Sequence, residues 1–178
     1  MRGRWVSKFM ADADLMSLLR FSPDDLESNR EGRLSEMQQY YLRVRRQRAI
    51  LIGLGGILVT AFVATLFIFL GQQDDSLILN VIGVGITVCG AAITGVFARY
   101  WMRLSADIHR GEIAVVRGEI ERVLKPINKQ IITYILRIGR VEVAVSKETF
   151  KAFEHGKSYI LYRTPHSGLL LAAEPMVE

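Results

Sequence analysis

Residues 49–70 read AILIGLGGILVTAFVATLFIFL and hold no charged side chain in 22 positions. As a helix rising about 1.5 Å per residue, the run spans roughly 33 Å, enough to cross the apolar core of a bilayer. After six intervening residues a second uncharged run occupies Leu77 to Ala98. Two such runs joined so closely predict an antiparallel transmembrane hairpin, because a helix satisfies its own backbone hydrogen bonds in lipid. The rest of the chain divides around it. Residues 1–48 are expected to form short N-terminal cytosolic amphipathic helices. Residues 49–104 hold the hairpin, with spans at 49–70 and 77–98. Residues 105–178 are expected to form a small cytosolic domain.

Charge sets the expected topology. Arg43, Arg45, Arg46 and Arg48 precede the first span; Arg99, Arg103 and Arg110 follow the second. The connecting GQQDDS holds Asp74 and Asp75 and no base. The positive-inside rule then places both ends in the cytosol, in a multi-pass protein of the cell (inner) membrane. Tyr40, Tyr41, Arg45, Arg46, Tyr100 and Trp101 fall at one expected interface and read as membrane anchors. In this setting the net charge of +5 reports the cytosolic membrane face rather than nucleic-acid binding. The N-terminal MRGRWVSKFMADAD has no apolar core of a signal peptide, so the first span is expected to act as an uncleaved insertion signal. The single cysteine, Cys89, lies inside the second span, which excludes an intrachain disulfide and a cysteine-based metal site.

In the N-terminal segment, Trp5, Phe9, Ala13, Met16 and Leu19 recur at helical spacing. Such a face docks a partner or the membrane surface, or packs on the chain's own C-terminal domain. Ser22 followed by Pro23, Asp24 and Asp25 is a helix start, with a cap, a proline in the first turn and acids near the positive end of the dipole. Gly32 is suited to end that helix. Ser35 and Gln38 form the S-x-x-Q pattern of a capping box, from which a second helix is expected to run unbroken into the first span. The same stretch, Glu27-x-Asn29-x-Glu31-Gly32 with Ser35 further on, matches part of a calcium loop of the EF-hand type. Gln38 stands where a bidentate glutamate belongs, and Arg30 and Arg33 add positive charge. A helix–turn–helix using the same residue types is the simpler reading, and no other metal site is expected.

Small residues repeat every four positions in the second span: Gly83, Thr87, Ala91 and Gly95. Gly56, Thr60 and Ala64 do so in the first. Such stripes let helix backbones approach closely, within the hairpin or against a partner helix. Neither span holds Asp, Glu, Lys, Arg or His, which argues against a proton relay, a charge-coupled transporter or a voltage sensor. Asn80 lies near the outer end, where solvation is the simpler reading.

From about Glu112 the hydrophobic period changes to two. EIAVVRGEIERVLKP predicts a long strand bent at Gly118. Lys125 to Lys129 predicts a turn. QIITYILRI and VEVAV predict the second and third strands, joined at Gly139–Arg140. SKETFKAFEHG predicts a helix capped by Ser146 and stopped at Gly156, with Phe150 and Phe153 facing a core. KSYILYR and GLLLAAE predict two more strands around a TPHSG turn. Three strands, a helix and two strands is the order of an OB-like barrel. An SH3-like barrel is the alternative.

No catalytic constellation emerges. His109, His155 and His166 are not spaced as metal ligands, and Ser146 and Ser167 have no adjacent base. No phosphate-binding glycine pattern lies outside the spans. Tyr134, Tyr159 and Tyr162 fall at positions that a small core fills, so base stacking on nucleic acid is the weaker reading. No cofactor and no small-molecule substrate is expected.

Two spans followed by a cytosolic OB-like barrel resembles, in layout only, the NfeD-like bacterial membrane proteins, which act beside scaffold proteins of the stomatin type. The chain is also similar to two-span membrane proteins with a C-terminal small barrel, carrying NREGRLSEMQ and ending in YRTPHSGLLLAAEP. The resemblance implies no catalytic residues. The expectation is a non-enzymatic adaptor, scaffold or accessory subunit. It would contact membrane lipid and a membrane-protein partner or further copies of itself. Its expected contact surfaces are the Gly83, Thr87, Ala91, Gly95 stripe and the Trp5, Phe9, Met16, Leu19 face. A homo-oligomeric channel or small-solute transporter is the alternative; a calcium-responsive protein is a lesser one.

Overall fold

The structure is a computed structural model, described here for residues 15–128 and 131–176. Trp5 and Phe9 lie outside the described residues. The elements are α1 (Pro23–Arg30), α2 (Glu36–Gln73), α3 (Leu77–Arg110), β1 (Ala114–Glu119), β2 (Glu121–Asn128), β3 (Ile131–Ile138), β4 (Val141–Val145), α4 (Lys147–Ala152), β5 (Ser158–Arg163) and β6 (Leu170–Pro175). They form two compact units: Tyr41–His109, and Met1–Tyr40 together with Arg110–Glu178.

The first unit is a helical hairpin. α3 begins at Leu77 as expected, but α2 continues past Leu70 to Gln73, so the turn shrinks to residues 74–76. Asp75 adopts a positive φ of 49°, and Ser76 N–H bonds the Gly71 carbonyl at 2.8 Å. The two helices meet along glycines. A Cβ on Gly83 would stand 2.6 Å from Ile68 Cγ1 and 3.1 Å from the Ala64 carbonyl oxygen. One on Gly90 would meet Thr60 Cγ2 at 2.5 Å, and one on Gly53 would meet Phe97 at 3.7 Å. Gly83 and Gly90 on α3, and Gly53 and Thr60 on α2, are each one heptad apart, the repeat of a left-handed helix seam. Asn80, expected to be solvated, is half-buried, and its side chain packs against Gly71.

Both helices are long and apolar enough to span a membrane. Only 6% of the most apolar stretch of each is buried within the protein. A core helix of a water-soluble protein would be mostly buried, so the burial argues against that role for these two helices.

The second unit is a small β domain with two antiparallel three-stranded sheets, ordered β1-β5-β6 and β2-β3-β4. β1 and β2 are one bent path through both sheets, broken only at Ile120. That residue is fully buried. Its N–H bonds the Lys157 carbonyl and its own carbonyl accepts from Gly156 N–H, both at 2.9 Å. Gly118, where the bend was expected, has φ +151°. A Cβ there would stand 2.8 Å from Ile138 Cγ2, so glycine is needed for both the angle and the space. The core between the sheets gathers Leu136, Ile138, Phe150, Phe153, Tyr159 and Leu161.

Two local expectations need correction. Lys125 to Asn128, expected in a turn, is strand: Lys125 pairs with Thr133 and Pro126 with Ile132 as β2 runs on to Asn128, and Lys129 lies outside the described residues. β2 is an edge strand, so the missing N–H of Pro126 costs no ladder bond on its open side. The helix after β4 ends at Ala152 rather than at Gly156. Gly156, at φ +81°, instead shapes the turn that reaches Ile120.

Residues 15–40 belong to this β unit. Residues 15–19 are helical, and Leu15, at 1% exposure, is part of the core with Phe150 and Phe153. Met16 and Leu19 pack against Phe21, Leu26 and Tyr162. Of the two readings left open by the sequence, these residues adopt packing on the chain's own domain. The segment is also laced to the start of the β strands. Leu34 N–H bonds the Gly111 carbonyl at 2.9 Å, and Ile113 N–H bonds the Gly32 carbonyl at 3.0 Å.

Candidate functional site

A polar grouping in the β unit lies where α1 meets β5 and β6. Glu174 on β6 is reached from two sides. Tyr162 on β5 donates its phenolic hydrogen to Glu174 Oε1 at 2.6 Å. Arg30, in the last turn of α1, donates from Nε to the same oxygen at 3.3 Å and pairs through Nη2 with Oε2. Arg30 and Glu174 stand 144 positions apart in the sequence.

Electrostatics follow from this arrangement. Burial pushes the Tyr162 phenol up, and its bond to the Glu174 carboxylate pushes it further, to about 12. Burial also works to raise Glu174, but the hydrogen bonds from Arg30 and Tyr162 outweigh it and hold the carboxyl below the usual glutamate range. Arg30 is raised by its bond and its attraction to Glu174. A carboxylate held ionised by two donors, beside a phenol held neutral, has no free base to offer a substrate. The grouping ties a helix to a sheet.

A second set of bonds orders the same segment. Ser22 and Asp25 form a reciprocal capping box: Ser22 N–H bonds Asp25 Oδ2 at 2.8 Å, and Asp25 N–H bonds Ser22 Oγ at 3.1 Å. Ser35 and Gln38 repeat the device at the start of α2, with Gln38 N–H to Ser35 Oγ at 3.1 Å and Ser35 N–H to Gln38 Oε1 at 3.3 Å. Asp25 Oδ1 also accepts from the Ser35 hydroxyl, which locks one cap to the other. Asn29, one turn beyond Asp25, is fully buried with both side-chain polar atoms unpartnered.

The calcium-loop residues are dispersed by this architecture. Glu27 and Asn29 lie within helix α1, exposed and buried respectively. Glu31 pairs with Arg33, and the Ser35 hydroxyl is engaged with Asp25 and Gln38. Among the described residues, no three His, Cys, Asp or Glu side chains come together as a metal site. His155 lies beyond the end of α4 rather than within it. Its Nδ1 accepts from the Arg122 backbone N–H at 3.1 Å, joining the turn before β5 to β2.

The hairpin separates the residues of the small-residue stripe. Gly83 is buried against α2. Thr87, Ala91 and Gly95 are exposed, Thr87 with its hydroxyl bonded to the Gly83 carbonyl at 2.9 Å. A Cβ on Gly95 would meet nothing within 4 Å. Among the expected membrane anchors, Tyr40, Tyr41 and Trp101 are exposed, and Arg45 Nε donates to Tyr100 Oη at 3.0 Å across the hairpin. Arg46 is half-buried.

Sequence reasoning did not find the Arg30–Glu174–Tyr162 grouping. A lone arginine at a helix end and a lone glutamate in a terminal strand carry no spacing signal. Comparison with known proteins adds nothing to this description: no family model, curated protein or solved structure matches the chain.

Proposed function

We propose that the chain is a non-enzymatic integral membrane protein, an adaptor or accessory subunit whose helical hairpin crosses the bilayer. One observation carries the reading. The two long helices turn nearly all their apolar side chains outward, with Leu51, Phe62 and Val96 each at least 70% exposed. That surface calls for an apolar solvent or a partner of the same character. Arginines on both flanks and acids at the turn support a hairpin with both ends in the cytosol of an inner membrane. The β domain is read as a partly open OB-like barrel. β4-β3-β2 continues through Ile120 into β1-β5-β6, and in chain order, with β1–β2 counted as one bent strand, α4 falls between the third strand, β4, and the fourth, β5.

The adaptor reading is supported by what the polar groups do. The polar side chains of Arg30, Glu174 and Asp25 serve internal ties of the β domain. The outward face of α3, with Thr87, Ala91 and Gly95, suits a close helix–helix contact. Extraction of the tagged chain at native expression in mild detergent, followed by native mass spectrometry, tests this. A stoichiometric foreign membrane protein supports the accessory-subunit reading. A closed ring of this chain alone supports a channel instead. A monomer carrying only lipid contradicts both.

A further inference from the structure

We propose that Arg45, Arg99, Arg103 and the hydroxyl of Tyr100 form a site for the phosphate of an anionic phospholipid at the cytosolic end of the hairpin. The inference rests on the membrane reading above and names the lipid class that this end of the hairpin takes.

Helix geometry gathers the four groups. Arg45 Nε donates to Tyr100 Oη at 3.0 Å, which ties α2 to α3 at this level. The Tyr100 hydroxyl accepts that bond and keeps its own hydrogen to donate. Arg103 lies three residues after Tyr100 and four after Arg99, so the three side chains share one face of α3. Arg45 reaches that face from α2. Arg43, two residues earlier, belongs to the other side of α2, because each residue turns a helix by about 100°.

Charge at this end is not balanced within the hairpin. From Tyr41 to His109 the chain holds six arginines, all at the end opposite the Asp74–Asp75 turn. The one acid at the arginine end, Asp107, is fully buried. Arg45, Arg99 and Arg103 are exposed, and the ion pairs among the described residues all lie elsewhere. Arg46 adds to the excess. It lies one heptad before Gly53, on the seam side of α2, half-buried, and its Nε is shut from solvent without a partner. Like charges four residues apart on a helix repel, so an anion placed among these groups is favoured. Guanidinium groups present paired N–H donors that match the oxygens of a phosphate.

Position identifies what carries the phosphate. Ala49 begins the first uncharged run and Ala98 ends the second, so in the membrane reading the arginines stand at headgroup depth. Below them the same side of the hairpin turns apolar. Val96 precedes Arg99 and Tyr100 by three and four residues, and Ile52 follows Arg45 by one heptad. Both are exposed. A phosphate site continued by an apolar track fits a phospholipid, in which headgroup and acyl chains are joined. Inorganic phosphate or nucleic acid would leave the track uncovered.

The test is native mass spectrometry of the full chain in mild nonionic detergent, after addition of phosphatidylglycerol and phosphatidylcholine in equal amounts. The expected result is several-fold more phosphatidylglycerol adduct than phosphatidylcholine adduct. Arg103→Gln and the double variant Arg45→Gln with Arg99→Gln should each lose that preference, and Tyr100→Phe should lower it. Arg43→Gln, which removes the same charge from the other side of α2, should keep it. Helical circular dichroism checks that each variant is folded. Equal binding of the two lipids by the wild-type chain overturns the inference. So does a loss in Arg43→Gln as large as in Arg103→Gln, which would mean diffuse attraction without a site. Inorganic phosphate alone that raises the thermal midpoint in detergent as much as phosphatidylglycerol does would overturn the lipid assignment. An environment-sensitive dye on Leu58→Cys, in a Cys89→Ser background, reports on the membrane reading separately. Quenching of that dye by brominated acyl chains in vesicles leaves the membrane reading standing when the lipid preference fails. A dye that lipid does not quench removes the membrane reading and this inference together.

Discussion

Tyr162 and Glu174 share a hydrogen at 2.6 Å on neighbouring strands, and Arg30 from a distant helix closes on the same carboxylate. This contact ties α1 to the β domain. Its energetics are testable at both ends of the pH scale. A phenol raised to about 12 contributes stability that is complete below the ordinary tyrosine value of 10.0 and is lost as pH climbs through about 12. Tyr162→Phe should cost about 1.5–3 kcal/mol at neutral pH, the range for a hydrogen bond to a charged group. It should also remove a tyrosine ionising near about 12 from an ultraviolet titration of the folded protein.

Glu174 works in the opposite direction. A carboxyl held below its ordinary 4.5 contributes stability that is complete above that value and is lost as pH falls through the lowered one. Glu174→Gln should therefore flatten the acid limb of the stability profile. It should cost about 1–3 kcal/mol near neutrality, because the Arg30 partnership goes and a buried polar site is left half-filled. Chemical denaturation of wild type and variant in the same detergent, repeated across pH, measures both.

The hairpin seam predicts a contrast between glycines of one helix. Gly83→Ala puts a methyl group against the Ala64 carbonyl and the Ile68 backbone, so the helices must part, at about 1–3 kcal/mol. Gly95→Ala and Gly85→Ala place theirs in open space and should leave hairpin stability unchanged. Thermal unfolding in detergent, followed by helical circular dichroism, separates the two classes.

The linked caps predict non-additivity. Asp25→Ala removes its half of the first capping box and the bond to Ser35, and Ser35→Ala removes the second cap and the same bond. Each should cost about 1–2 kcal/mol, and the double variant less than their sum, because one bond is counted in both. Faster hydrogen exchange at the amides of Gln38 and Gln39 in either variant would localise the effect.

Much of this architecture is legible in the sequence, for physical reasons that also mark where it stops. The hairpin is written in two uncharged runs. The caps at Ser22, Ser35 with Gln38, and Ser146 are written in local residue order, and all three form. The strand order and the bend at Gly118 follow from period and glycine chemistry. Helical period shows that the N-terminal helix has an apolar face, but not what covers it. Leu15, buried in the core, lies outside the Trp5, Phe9, Ala13, Met16, Leu19 spacing. Pro126 reads as a strand breaker unless one knows that β2 is an edge. Arg30 meeting Glu174 depends on the tertiary fold, which no local pattern encodes.

The measurement that bears most directly on the membrane reading is the sidedness of two engineered cysteines in a Cys89→Ser background. Gln73→Cys lies at the end of α2 beside the turn, and Glu154→Cys lies in the β domain. Sealed vesicles of known orientation are treated with a membrane-impermeant maleimide. A spanning hairpin with cytosolic ends predicts that Gln73→Cys is labelled only from the outer face and Glu154→Cys only from the cytosolic face. Labelling of both from the same face would contradict it.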